Sequence, residues 1–251
     1  GSVRLVPRVT GALGGEVSAD GRLAAVRFVG TEGQPSPRVR VVDLRTGTIL
    51  LEVDNSSPAT AAALSLGGKL LATGGSDRSV RLWRVPTGAS LRVLKGHVGP
   101  ITAIGFSPRG TMLATASTDG IGRVWDASSG QAISVLSGHT NYLTDIAFSP
   151  DGTQVVSASL DRTARTWKAE TGAALATYTG DTEAVVSARF TRSGREVVTA
   201  SLDGTARTWD AVVQPDLPLV VDLGAPVTRL AFTPDGRRLA GEAGGRSYRI
   251  A

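Results

Sequence analysis

Short apolar runs of four to six residues follow one another along the chain, separated by turns that contain glycine or aspartate. The runs are rich in Val, Ile, Leu, Thr and Phe, and they alternate or are continuously apolar, which is typical of strands rather than helices. The runs that precede a glycine turn cover residues 101–106, 143–148, 185–190 and 227–232. This pattern predicts an all-β chain built from many short strands.

Two independent spacings show that the strands form a repeat. The chain has four tryptophans, Trp83, Trp125, Trp167 and Trp209, and each follows the previous one by 42 residues. The glycines of the first turn keep the same spacing, at Gly68, Gly110, Gly152, Gly194 and Gly236. Agreement between the two spacings indicates an array of similar supersecondary units.

Each unit is predicted to hold four strands. An apolar strand and a glycine turn lead to a second strand that ends in small hydroxyl residues, and an aspartate turn leads to a third strand that ends in tryptophan. A last strand follows, as at residues 91–94, 133–136 and 175–178. Successive hairpins give an antiparallel sheet, and because one such sheet cannot bury both faces, neighbouring sheets must stack and the array must close.

The residues at fixed points of the unit resemble those of the WD40 repeat. Gly96-His97 is followed by Asp119 and Trp125, and Gly138-His139 is followed by Asp161 and Trp167, with 28 residues from His to Trp each time. The resemblance implies a β-propeller of four-stranded antiparallel blades, in which His, a strand hydroxyl, the turn Asp and Trp form a hydrogen-bonded tetrad. By resemblance the tetrads are His97, Thr115, Asp119 and Trp125, then His139, Ser157, Asp161 and Trp167. Ser117 and Ser159, two residues further on, are alternative sources of the hydroxyl.

The resemblance weakens towards both ends of the chain. Asn55 and Asp181 stand where the second and fifth repeats should have histidine, and the sixth repeat stops at Ala251 without a fourth strand. We expect a strand within residues 3–9 to complete that last blade, which would also cover exposed sheet edges. The expected count is six blades, the alternative being a seven-bladed ring that lacks one blade. The single expected propeller domain, 1–251, has blades near residues 10–50, 51–94, 95–136, 137–178, 179–223 and 224–251.

The overall composition limits the possible classes of protein but identifies no functional site. Hydrophobic residues make up 41% and charged residues 20% of the chain, as in an ordinary globular protein, and there is no cysteine for a disulfide or thiolate site. No apolar run approaches the roughly 20 residues that a membrane span needs. We therefore expect a cytoplasmic protein without membrane contact, and the Ala-, Arg- and Gly-rich residue choice suggests a bacterial source. Gly1-Ser2 without a starting methionine resembles a cloning remnant.

Candidate chemistry is sparse. Both histidines, His97 and His139, fall in the repeat motif, and two histidines without cysteine are a poor start for a metal site. There is no nucleophile elbow and no phosphate-binding glycine loop before a helix. The turn aspartates recur in the same position of each unit, which favours an architectural role over catalysis. We expect no enzyme activity, no cofactor and no metal.

Arginines recur two residues before each tryptophan position. They are Arg40, Arg81, Arg123, Arg165, Arg207 and Arg249. One interpretation is a ring of cations that binds nucleic acid or an acidic partner, since the net charge is +5 and the isoelectric point is about 10.2. The alternative, which we favour, is an aliphatic stem packed along the blade with its guanidinium stacked or paired.

The resemblance places partner binding on the face that carries the His-position loops and the Asp turns. The candidate contact residues are Ser76, Thr118, Leu160, Leu202, Tyr142, Pro100 and Glu183. Leu160 and Leu202 are informative because an apolar side chain at a hairpin tip is costly unless it is covered. We expect a protein–protein interaction scaffold that binds a protein or peptide, as a monomer or as the sensor part of a larger bacterial signalling protein. Nucleic-acid binding through the basic surface and, less favoured, a propeller hydrolase are the alternatives.

Overall fold

The structure is a computed structural model that describes residues 12–18, 20–30, 35–211, 219–232, 239–244 and 246–250. For residues 35, 219, 229–232, 239, 241 and 246–250 only the backbone is described. The regular elements of the described residues are all strands, apart from one short 3-10 turn at Leu66–Gly68. Within the described residues, no helix is long and apolar enough to span a membrane.

The chain divides into two compact units, Gly1–Ile101 and Thr102–Ala251. The first unit contains two four-stranded antiparallel sheets, each in simple chain order. Sheet 1 has β1 (Ala12–Val17), β2 (Leu23–Val29), β3 (Pro35–Asp43) and β4 (Ile49–Asp54). Sheet 2 has β5 (Ala59–Leu64), β6 (Leu70–Gly75), β7 (Val80–Arg84) and β8 (Ser90–Leu94).

The second unit carries the remaining sheets, apart from Ile101, the first residue of sheet 3. Sheet 3 has β9 (Ile101–Phe106), β10 (Met112–Ser117), β11 (Gly122–Asp126) and β12 (Ala132–Leu136). Sheet 4 has β13 (Leu143–Phe148), β14 (Gln154–Ser159), β15 (Thr163–Lys168) and β16 (Ala174–Thr179). Sheet 5 has β17 (Val185–Phe190), β18 (Glu196–Ser201), β19 (Thr205–Asp210) and β20 (Leu219–Asp222). The described strands of sheet 6 are β21 (Val227–Phe232), β22 (Leu239–Ala243) and β23 (Arg246–Ile250).

The sheets of each unit bury their faces against one another. The second strand of a sheet is covered on both sides, so that β10 and β14 are buried at five of their six residues. The fourth strand keeps alternating exposed positions, as in β12. The largest fully buried side chains of the second unit include Leu136, Ile146, Trp167 and Tyr178. Their clusters join residues of neighbouring sheets, which places the core between sheets, as expected for stacked units that cannot bury a face alone.

In a meander of four antiparallel strands, the connections lie at the two ends of the strands. The turns between strands one and two and between strands three and four lie at one end. The turn between strands two and three lies at the other end, together with the connection from the previous sheet. We call the loops at this second end the loop edge; in the second unit it comprises residues 117–121, 137–142, 159–163, 180–184 and 201–205.

Sheets of four antiparallel strands recur with the predicted period in sheets 2 to 5, but two expected boundaries are shifted. The boundary expected between residues 50 and 51 falls inside β4, whose residues pair with β3 and therefore belong to sheet 1. The boundary expected between residues 178 and 179 falls inside β16, where Thr179 pairs with Thr163 of β15. The strand expected within residues 3–9 lies outside the described residues, so the pairing that would complete the last sheet stays a prediction.

Candidate functional site

A buried polar site lies beside the loop edge of each sheet that carries a tryptophan. Its constant part is a hydrogen bond from the indole Nε1 to a hydroxyl on the second strand, ten residues earlier. The donor–acceptor pairs are Trp83–Thr73 at 2.8 Å, Trp125–Thr115 at 2.9 Å, Trp167–Ser157 at 2.8 Å and Trp209–Thr199 at 3.0 Å. All four hydroxyl residues are fully buried, so the bond satisfies two groups that water cannot reach.

In sheet 4 this bond extends into a chain of four side chains. Ser157 Oγ lies 2.8 Å from His139 Nε2, and His139 Nδ1 lies 2.7 Å from Asp161 Oδ2. Because the Trp167 indole can only donate, Ser157 accepts from it and donates its own hydrogen to Nε2. The imidazole is then neutral, with its proton on Nδ1 directed at the Asp161 carboxylate.

The pKa shifts of His139 and Asp161 agree with a neutral imidazole. Burial lowers the pKa of His139, and the Asp161 carboxylate opposes that shift only in part. Burial alone would raise the pKa of Asp161, but hydrogen bonds from Thr163, His139 and the Thr140 N–H lower it below its ordinary value. Asp161 thus stays ionised and holds the connection before β13 against the turn after β14.

His97 occupies the same position before sheet 3, where it is buried. It belongs to the first unit, whereas Thr115, Asp119 and Trp125 belong to the second. The bond from Trp125 to Thr115 is present, and Asp119 accepts a hydrogen bond from the Ile121 N–H. The pairing of His97 with these residues stays a prediction.

Sheet 5 replaces the histidine by Asp181 and uses different chemistry. The guanidinium of Arg207 contacts Asp181 Oδ1 and also lies 3.0 Å from Asp203 Oδ2. Burial raises the pKa of Asp181 to about 6, although Arg207 acts in the opposite direction. Burial likewise disfavours ionised Asp203, but hydrogen bonds from Thr205, the Thr182 N–H and Arg207 lower its pKa to about 2.

Sheet 2 carries an amide in this position. Asn55 Oδ1 accepts a hydrogen bond of 2.6 Å from Thr73, and its Nδ2 donates to the Ser57 carbonyl at 3.3 Å. The turn carboxylate, Asp77, pairs instead with Arg81 at 2.7 Å. The same hydroxyl is therefore met by an imidazole, a carboxylate or an amide in different sheets.

The alternative hydroxyls have another role. Ser159 Oγ donates to the Asn141 carbonyl at 3.2 Å and accepts from the Asp161 N–H at 3.0 Å. Ser201 bonds the Glu183 carbonyl and the Asp203 N–H in the same way. Ser117 accepts from the Asp119 N–H. These serines fasten the aspartate turn, whereas the residue two positions earlier meets the tryptophan.

Three of the six recurrent arginines contact neighbouring groups, whereas Arg123 and Arg165 each bury an Nε atom that has no hydrogen-bond partner among the described residues. Arg40 stacks over Phe28 at 4.8 Å and pairs with Glu52, Arg81 pairs with Asp77, and Arg207 bridges two carboxylates. The side chain of Arg249 is outside the described residues. Both these arginines and Asp181 are visible in the sequence, but nothing in their spacing indicates that Arg207 lies between two aspartates.

The candidate contact residues lie on the loop edge with different exposures. Tyr142 is 52% exposed, Leu202 38% and Leu160 37%. Ser76 and Glu183 are exposed, and Thr118 and Pro100 are half-buried. The structure brings Leu160 and Tyr142 together, because the Leu160 N–H donates to the Tyr142 carbonyl at 3.0 Å. Leu202 is joined to Ala184, the neighbour of Glu183, by the same bond at 2.9 Å.

No group of three or more potential metal ligands occurs among the described residues. The buried carboxylate of β13, Asp145, is used structurally: it accepts hydrogen bonds from Ser187 at 2.7 Å and the Ala188 N–H at 3.2 Å, and it pairs with Arg189. It ties the first strand of sheet 4 to that of sheet 5.

Comparison with known proteins identifies the repeat. The family model described as WD domain, G-beta repeat matches residues 48–84, 88–126, 130–168 and 172–210, more than half of the chain. Among curated proteins, no sequence matches the chain. Repeats of this family generally mediate protein–protein interaction, and their propellers are typically scaffolds rather than enzymes. With four matched repeats and the antiparallel four-stranded sheets that they form, the chain belongs to the WD40-repeat family.

Proposed function

We propose that the protein is a docking scaffold whose second unit binds a protein or peptide on its loop edge. The observation that carries the proposal is the exposure of three large apolar side chains there, Tyr142, Leu160 and Leu202. Leu160 and Leu202 hold equivalent turn positions on neighbouring sheets, and Tyr142 adjoins Leu160. Exposed apolar clusters mark interaction surfaces, and tyrosine is a frequent energetic centre of such surfaces.

The mechanism is presentation of preformed loops. Backbone hydrogen bonds hold each leucine to the adjoining connection, and Ser159 and Ser201 hold the turns from beneath. Asp161 and Asp203 fix the same turns through further hydrogen bonds. A partner then binds without ordering these loops first, which reduces the entropic cost of association.

The test is capture of partners from the source organism by the full chain, followed by measurement of affinity for each captured protein. Leu160→Asp with Leu202→Asp should weaken binding by about 2 kcal/mol or more, as expected for central contact residues. Leu175→Asp is the matched control, because Leu175 is 41% exposed but lies on β16, outside the loop edge. Equal loss of binding in the control would refute the assignment of the loop edge.

We propose a six-bladed propeller within a single domain as the frame of this scaffold. Six sheets, the period of 42 residues and family membership support the proposal. A strand from residues 3–9 would supply the fourth strand of sheet 6.

We also propose that the scaffold is the sensor or regulatory part of a larger bacterial signalling protein. This proposal rests on the residue composition and on the docking role.

Nucleic-acid binding is the second candidate, and the net charge of +5 favours it. Several of the recurrent arginines are already paired with carboxylates, which lowers the charge they can offer to phosphates. The candidate requires binding of plain duplex DNA that weakens steeply with salt. Absence of binding at about 50 mM salt would eliminate it, since phosphate contacts are strongest at low ionic strength.

A further inference from the structure

A polar pocket of about 580 Å³ opens on sheet 2, in the first unit. The turn between β6 and β7 forms one wall, and the end of β8 with the residues after it forms the other. The polar side chains that line it are Ser76, Asp77, Arg78, Ser79, Arg81, Lys95 and His97. Pockets of roughly 300–1,000 Å³ are the size that small ligands and ligand groups occupy.

The charge in this pocket is unbalanced. Its three cationic side chains face one carboxylate, and that carboxylate is already satisfied. Asp77 pairs with Arg81 at 2.7 Å and accepts the Ser79 hydroxyl at 2.8 Å, while Ser79 in turn accepts from Arg81 at 2.6 Å. Arg78 and Lys95 are exposed, and neither forms an ion pair with any residue that the structure describes. The pocket therefore offers two uncompensated positive charges.

This combination is specific to sheet 2. The residues 42 positions after Arg78 and Lys95 are Gly120 and Ser137, and those 84 positions after are Arg162 and Thr179. Arg78 also adopts φ +70°, in a turn where sheets 3 and 5 carry glycine. A non-glycine residue in the left-handed region is disfavoured. The turn nevertheless has an arginine at this position, which places a cation at the mouth of the pocket.

We propose that this pocket binds a phosphate monoester, with Arg78 and Lys95 holding its oxygens. A phosphate monoester carries a charge of about −1.5 to −2 at neutral pH and three strong acceptor oxygens, which matches two free cations. The Arg78 guanidinium can donate two parallel hydrogen bonds, and Lys95 supplies a point charge. Ser76, whose hydroxyl has no hydrogen bond among the described residues, is a third donor at the rim.

Every residue of the pocket belongs to the first unit, whereas the apolar residues Tyr142, Leu160 and Leu202 belong to the second. Its ligand is a phosphate group with two conceivable sources, a phosphorylated peptide or a free phosphate ester. Either source uses the same contacts, so the experiment must distinguish them.

The test is fluorescence polarisation of a labelled Gly-Gly-phosphoserine-Gly-Gly peptide with the full chain, beside the same peptide without phosphate. We expect binding only of the phosphorylated peptide, weakening as salt rises from about 50 to about 300 mM because exposed charges are screened. Arg78→Gly with Lys95→Ser should weaken binding about tenfold or more, since charge-assisted hydrogen bonds are lost. These replacements are the residues that sheet 3 carries, so the fold should be kept, as an unchanged melting temperature would show.

Arg162→Gly is the matched control, because Arg162 has the same turn position and φ +69° but no lysine beside it. It should leave the affinity within about twofold. Competition by free phosphoserine as strong as that by unlabelled peptide would support a small phosphate ester; displacement by the phosphopeptide alone would support a peptide. Equal binding of the two labelled peptides, or equal loss in the Arg162 control, would overturn the proposal.

Discussion

In sheets 2 to 5 the hydroxyl of the second strand is the constant centre of the polar site. Thr73, Thr115, Ser157 and Thr199 each accept the indole N–H, while the residue that meets the hydroxyl from the other side varies. An indole N–H buried without an acceptor is costly, so the tryptophan requires the hydroxyl wherever it occurs. The indole in turn fixes the direction in which the hydroxyl donates.

This dependence gives a prediction for sheet 4. Ser157→Ala leaves the Trp167 indole and His139 Nε2 without partners in a buried site, which should lower the free energy of unfolding by about 2–4 kcal/mol. Ser157→Thr should cost less than about 1 kcal/mol, because threonine has this role in the other three sheets. Urea unfolding of both variants measures the difference. Similar losses in the two variants would show that shape, and not the hydroxyl, governs the site.

Asp181 gives a prediction for pH. Its folded pKa of about 6 lies above its ordinary value of 3.8, so the folded protein binds this proton more tightly than the unfolded chain. The free energy of unfolding should therefore gain up to about 3 kcal/mol from this group as pH falls from about 7 to about 4. Asp181→Asn should remove the gain and should not destabilise the protein at pH 7. A clear destabilisation at pH 7 would mean that pairing with Arg207 outweighs burial.

At the scale of the element, the outer strand β12 is covered by the next sheet. Gly172, in the turn between β15 and β16, approaches it so closely that a Cβ there would lie 2.3 Å from the Val135 carbonyl oxygen. Ser134 donates to the Ala169 carbonyl at 2.6 Å, which closes the same contact. An edge that would otherwise offer free backbone groups is thereby protected.

Gly172→Ala should destabilise the protein through both backbone and contact. The residue has φ +73°, and alanine in that region costs about 1–2 kcal/mol before any clash is counted. Gly224→Ala is the control, because Gly224 has φ +69° but nothing within 4 Å of the position of its Cβ. We expect a loss of about 3 kcal/mol or more for Gly172→Ala and about 1–2 kcal/mol for the control, by thermal unfolding. Equal losses in the two variants would show that the close contact with Val135 does not contribute to the destabilisation.

Elements were predictable from sequence because their signals are local and repeated. The period of 42 residues and the turn glycines located the strands of sheets 2 to 5 within one or two residues. The polar partners were less predictable: Arg207 reaches two carboxylates only because Asp181 replaces an imidazole that would have bonded Asp203 differently. The pocket at Arg78 and Lys95 depends on side chains of a turn and a strand end that no short spacing links.

At the scale of the molecule, the boundaries of the sequence repeats do not coincide with the boundaries of the sheets. The matched repeat 130–168 contains β12, which belongs to sheet 3, and β13 to β15, which belong to sheet 4. Each repeat of this kind joins two neighbouring sheets covalently, so loss of one repeat would leave two sheets incomplete. Stability of such an array therefore depends on contacts between neighbours as much as on each sheet.

The proposed closure gives a prediction at this scale. If a strand within residues 3–9 completes sheet 6, deleting residues 1–9 should lower the melting temperature markedly, because backbone groups along β23 would lose their partner. Replacing Val3 and Leu5 by Asp in the full chain is a second variant that keeps the length of the chain. An unchanged melting temperature in both variants would contradict the closure.

The varied residue opposite the strand hydroxyl also determines how each sheet responds to acid. Burial lowers the pKa of His139, so protonation works against the contacts of sheet 4, whereas protonation of Asp181 relieves a buried charge in sheet 5. Asn55 in sheet 2 does not titrate. Mild acidification would therefore redistribute stability along the chain. After correction for the intrinsic pH dependence of amide exchange, protection from hydrogen exchange should fall at 140–142 and rise at 182–184. One repeat, used several times, thus yields sheets that respond to acid in opposite directions.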